Sequence, residues 1–93
     1  MANVVFTNLT KDAWTKVATN VTSGTIHHVK NSNAVVLQAS VDTGDAAPTL
    51  VSEGVRAFTE SRFGLREVIA SSKSIDVYLF TVAENVRVGV DAT

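Results

Sequence analysis

Apolar and polar residues alternate most regularly over residues 34–41, AVVLQASV. A pleated strand there puts Val35, Leu37, Ala39 and Val41 on one side and Val36, Gln38 and Ser40 on the other, so the wholly apolar row is expected against a core and the mixed row outward. Turn chemistry follows at once in Asp42, Thr43, Gly44 and Asp45, because Gly accepts positive φ and Asp bonds to nearby backbone; Pro48, the only proline, stiffens the exit. A second dominant strand is expected over residues 75–82, IDVYLFTV. Ile75, Val77 and Leu79 make one face and Tyr78, Phe80 and Val82 another. With both faces apolar, this strand is expected to be central in its sheet or partly covered by another chain.

The remaining elements are shorter. Trp14 to Thr19 has β-type composition around Val17, and a turn signal at Thr22, Ser23 and Gly24 precedes a strand through Thr25, Ile26, His27, His28 and Val29. Asn31, Ser32 and Asn33 then form a polar turn, so this strand and the one at 34–41 are expected to make an antiparallel hairpin. Val55, Arg56, Ala57 and Phe58 suggest a strand. A helix over 61–69 is disfavoured because Gly64 in its middle costs roughly 1 kcal/mol relative to Ala, and residues 65–70 are expected as a strand. Ser71, Ser72, Lys73 and Ser74 read as a turn, and Val86, Val88 and Val90 resume the alternation after a turn at Glu84 and Asn85. Residues 1–9, with the apolar trio Val4, Val5 and Phe6, fit either a short strand or an arm laid on a neighbour.

Strands recurring about every 8 to 12 residues without a convincing helix predict an all-β chain, a small antiparallel β-sandwich or jelly-roll-like single domain spanning residues 1–93. Composition strengthens this, since 45% of residues are hydrophobic, only 18% are charged, and the balance leans to Val, Ala, Thr and Ser. With 93 residues the chain has one core, and such a domain buries only about two thirds of the surface of its extended chain. Stability is therefore expected to be borrowed from neighbours, because the absence of cysteine excludes disulfides.

A net charge of -1 and dispersed Lys and Arg give no field for a phosphate backbone, so nucleic acid is not an expected partner. No run approaches the roughly 20 apolar residues that span a bilayer, and the first residues lack a basic, apolar export signal. The chain is expected to be made in a cytoplasm and to act away from membranes.

Candidate chemistry is thin. Asp42, Thr43 and Gly44 resemble the active-site signature of retropepsin-like aspartic proteases, in which two protomers pair their aspartates. Asp45 stands where that family has a small residue, and the glycine-rich flap and second apolar-apolar-glycine element are missing, so the turn is the simpler reading. His27 and His28 are adjacent on a strand and point to opposite faces, which prevents chelation of one ion by the pair. No serine sits in a nucleophile elbow, and no cofactor or metal is expected. Trp14, the only tryptophan, is expected to close one end of the core, with a sugar-stacking role for Trp14 or Tyr78 in a carbohydrate-binding module as the alternative. Arg56, Arg62, Arg66 and Arg87, with Glu53, Glu60, Glu67 and Glu84, read as surface charges suited to solubility or to setting register between subunits.

Trp14 with Val17, the turn and strand from Gly24 to Val29, the loop Ala46, Ala47, Pro48 and Thr49, and the late strands around Val68 and Val77 together resemble the small β-sandwich virion proteins of tailed bacteriophages, particularly capsid decoration or cement proteins. The likeness covers most of the chain and lies in spacing, size and Thr/Val/Ala-rich composition. It implies a non-enzymatic structural subunit, often trimeric, that binds the major capsid protein or other virion proteins and resides in the virion; a tail, fibre or head-to-tail component is the alternative. Contacts with such a partner are expected at Val4, Val5 and Phe6 and along the loop that includes Asp42, Asp45, Pro48 and Leu50, with Arg56 beyond it.

Overall fold

The structure, a computed structural model, describes residues 4–31, 34–49, 56–59 and 66–93. The alternating and β-branched segments form six strands: β1 (Val5–Asn8), β2 (Ala13–Lys30), β3 (Val35–Asp42), β4 (Arg56–Thr59), β5 (Arg66–Thr81) and β6 (Arg87–Ala92). They pair antiparallel throughout, in one sheet of order β1-β6-β2-β5-β3-β4. The expected all-β antiparallel class is what forms.

Layering comes from the two long strands. The first half of β2 pairs with the C-terminal half of β5, from Ala13 opposite Thr81 to Val21 opposite Ile75, whereas its second half pairs with the start of β5, Ser23 opposite Ala70 and His27 opposite Arg66. β6 joins only the second half of β2, and β3 joins only the C-terminal half of β5. Three register shifts between Lys16 and Ser23, with Asn20 at φ 56°, let β2 change direction while its ladder continues. The sheet thus folds over itself. Val88 and Val90 from one part and Val36, Val77 and Leu79 from the other enter a single buried cluster with Ile26 and Ile69.

Several expectations from the sequence are corrected. The turn expected at Thr22, Ser23 and Gly24 is a bend within β2, and the one expected at Ser71 to Ser74 lies within β5. Short polar residues bend these strands without ending them. The expected hairpin across residues 31–33 does not form, because β5 inserts between β2 and β3 and pairs with both. The faces of β3 are in part reversed: Val36 is 0% exposed and Gln38 is buried while Val35 is 48% exposed, whereas Ala39 is buried and Ser40 exposed as expected. Val36 and Gln38 oppose Thr81 and Leu79 on the row that faces the other layer, whereas Leu37 stands opposite Phe80 on the outer row. The reading holds over 75–81, since β5 is internal and these residues are buried on both faces, but the strand ends at Thr81 and Val82, expected on the covered face, is 64% exposed.

The outer row explains that double burial. Trp14 opposes Phe80, with ring centroids 5.4 Å apart, so the indole packs on the outer face and does not close the end of the core cluster. Residues 43–49 return toward this face, where Gly44 donates its N–H to Asp76 Oδ2 at 3.5 Å, and Pro48 is buried.

Candidate functional site

Three surfaces deserve inspection, and the first is the N-terminal edge. Residues 5–8 form a paired strand, Val5 opposite Val90 and Phe6 opposite Gly89, which resolves the choice between strand and free arm for that part of residues 1–9. β1 is an outer strand of the sheet. Val4, Val5 and Phe6 are 43%, 57% and 51% exposed, a contiguous apolar run on an edge that pairs with no further strand among the described residues. Arg87 lies over the Phe6 ring at 5.1 Å from its centroid and shields one side of it.

The second surface is the turn after β3. Asp45 N–H donates to the Asp42 carbonyl at 2.9 Å and Thr43 N–H to the Ser74 carbonyl at 3.2 Å, so Asp42, Thr43 and Gly44 build a turn against β5. The Asp42 carboxylate is exposed and lies 3.6 Å from Lys73 Nζ. Asp42 and Asp45 are exposed, whereas Pro48 is buried within the chain. Leu50 lies outside the described residues. Arg56 begins β4 opposite Gln38, at the far end of the strand order from β1. The N-terminal run and the loop are therefore separated by the intervening strands of the sheet.

Beneath that turn sits Asp76, a carboxylate within the apolar run 75–80 of β5. It accepts the Asn20 backbone N–H at 2.9 Å and the Gly44 N–H at 3.5 Å, and Lys16 Nζ stands 3.7 Å away. The Asn20 hydrogen bond is the largest influence on its ionisation; together with Gly44 and Lys16 it outweighs the opposing effect of burial and holds the carboxyl below its ordinary value. Lys16 also lies over the Tyr78 ring, 5.6 Å from its centroid. Each polar group here is occupied by another, which suits a structural clamp.

No protein-family model, curated protein or solved structure matches the chain. Its candidate site therefore rests on its own geometry.

The histidines separate as the strand period requires. His28 is buried on the inner row beside Val88, while the His27 ring lies over Gly89 on the other face. Among the described residues, no group of three His, Cys, Asp or Glu side chains is placed to hold a metal ion.

The third surface was not singled out by the sequence. A slot of about 330 Å³ opens between β1, which contributes Val5 and Thr7, the end of β6, which contributes Val90 and Ala92, and residues 16–19 and Val21 of β2. Val17, Val21 and Val90 also belong to the buried core, so the slot reaches core side chains from outside. Its signal in the sequence was Asn20 and Gly24 inside a strand-like run, where such residues mark bulges and close backbone approaches.

Proposed function

We propose that this chain is a non-enzymatic virion structural protein of a tailed bacteriophage, a capsid decoration or cement subunit that binds and stabilises the assembled head. The observation that carries the proposal is the exposed run Val4, Val5 and Phe6 on an open sheet edge of a domain with one small core. Apolar side chains in that position gain burial when a neighbour covers them, and edge backbone groups gain partners. A subunit that binds only the assembled shell lowers the free energy of that shell by mass action. The resemblance in size, strand spacing and composition supports the same reading, with the major capsid protein as partner and a homo-oligomer, a trimer first, as the bound form.

Mass spectrometry of density-purified virions from the phage whose genome encodes the chain tests this. Stoichiometric presence in full particles, localised to the head by antibody labelling, is the expected result. Labelling on the tail would move the subunit to the alternative position, and absence from particles would reject a virion role.

A further inference from the structure

Asp76 ties together two surfaces that lie on different elements. Its Oδ1 accepts the Asn20 N–H at 2.9 Å and its Oδ2 the Gly44 N–H at 3.5 Å, while the residue itself is only 3% exposed. Asn20 stands between Thr19 and Val21, which wall the slot beside β2, whereas Gly44 stands in the exposed turn after β3. Neither segment is held by much else. Three register shifts interrupt the pairing of β2 with β5 between Lys16 and Ser23, and among the described residues no strand pairs with residues 13–21 on the other side. At the tip of the turn the bond from Asp45 to Asp42 is internal, so its other ties to β5 are the Thr43 N–H on the Ser74 carbonyl at 3.2 Å and the exposed Asp42–Lys73 pair. An exposed ion pair holds weakly, and segments with few buried bonds open at lower free energy than the sheet around them.

We propose that the Asp76 carboxylate couples these segments, so that the irregular stretch of β2 at Asn20 and the turn at Gly44 open and close as one local unit. Departure of either N–H leaves a buried, ionised oxygen short of a donor. Water then has to enter, and the remaining bond loses the dry surroundings that strengthen it. Lys16 Nζ, 3.7 Å from Oδ2 on a partly exposed side chain, can follow the carboxylate outward. Such coupling is reciprocal: a contact that fixes the turn stiffens the wall of the slot, and a contact in the slot fixes the turn. It is a property of the isolated chain and stands whether or not the chain is found in virions.

Backbone amide exchange of the full chain at neutral pH, followed residue by residue, tests the coupling. In the wild type the Asn20 and Gly44 amides are expected to share one opening free energy, below that of Leu79 in the core. Gly44 holds φ +93° with no atom within 4 Å of the place a Cβ would take, so Gly44→Ala strains the turn without touching β2. Exchange is then expected to quicken by about fivefold both at position 44 and at Asn20, with the amides of β1 unchanged. In an Asp76→Asn background, where the side chain offers one acceptor oxygen in place of two, the same substitution is expected to quicken the turn alone. Quickening by Gly44→Ala that is confined to the turn, or that spreads equally through β1, would overturn the proposal. So would a wild-type Asn20 amide that exchanges as slowly as that of Leu79.

Discussion

Asn20 donates its backbone N–H to Asp76 Oδ1 across 2.9 Å, joining the irregular middle of β2 to the most buried carboxylate of β5. Asn20 holds φ 56°, a conformation that most side chains resist and that Asn tolerates. A residue turned this way aims its N–H out of the regular ladder, and Asp76 supplies the acceptor. The bend and the buried charge explain each other.

That pairing sets an acid limit. The folded-state pKa of Asp76 is lowered, so its contribution is fully present above the unfolded value of about 3.9 and is lost as pH falls through the folded value. Asp76→Asn is expected to lower the melting temperature at neutral pH, because an amide puts a donor among the Asn20, Gly44 and Lys16 donors. The gap between wild type and variant should narrow below about pH 4. Melting curves from pH 2 to 7 that run parallel would contradict this role.

Two glycines separate backbone crowding from side-chain crowding. A Cβ on Gly24 would stand 2.5 Å from the Asp91 carbonyl oxygen and 2.7 Å from Ala92, where the β6 backbone has to move. A Cβ on Gly89 would meet the far end of the His27 ring at 2.6 Å, and that ring can swing. Gly24→Ala is expected to cost about 2 kcal/mol and Gly89→Ala about 1 kcal/mol in urea unfolding, and the reverse order would refute the distinction.

The reversed burial of Val35 and Val36 in β3 can be checked by a pair of substitutions. Val36→Ala, in the core, is expected to cost about 2 kcal/mol. Val35→Ala, at a side chain that is half exposed, should stay within about 0.5 kcal/mol of wild type. Equal costs would return both rows to equivalence.

On the N-terminal edge, Val5→Lys combined with Val4→Lys is expected to leave the far-ultraviolet circular dichroism unchanged while reducing incorporation into particles by about tenfold or more. Both side chains are exposed, so folding loses little. Undiminished incorporation would remove this edge from the contact surface.

How much of this was visible beforehand depends on what each residue reports. Ile75, Val77 and Leu79 with Tyr78 and Phe80 declared a strand apolar on both faces, and its internal place in the sheet followed. Strand identity is local and survives being read from a window. Partners are not local: the Asn31 region looks like any hairpin turn, and only the distant β5, competing for both β2 and β3, decides otherwise. The same limit applies to β3, where Val35 and Val36 are chemically identical and the layer above determines which is covered. Breaks are ambiguous for a related reason, since Gly24 and the serines at 71–74 mark bends as readily as ends. Asp76 was the overlooked signal for the clamp, a lone carboxylate in an apolar run. For the slot, Asn20 and Gly24 mark only the irregularity of β2, and the opening itself depends on β1 and β6 meeting β2 from distant parts of the sequence.

The run of β2 and β5 through both layers also governs the order in which the molecule is finished. Ala13 waits for Thr81 and Val5 for Val90, so the β2–β5 ladder cannot close before residue 81 nor the β1–β6 pair before residue 90 has left the ribosome. During that interval an 18-residue strand rich in Val and Thr stands with both edges open. Exposure to misassociation is therefore greatest between the emergence of β2 and that of β5 and β6.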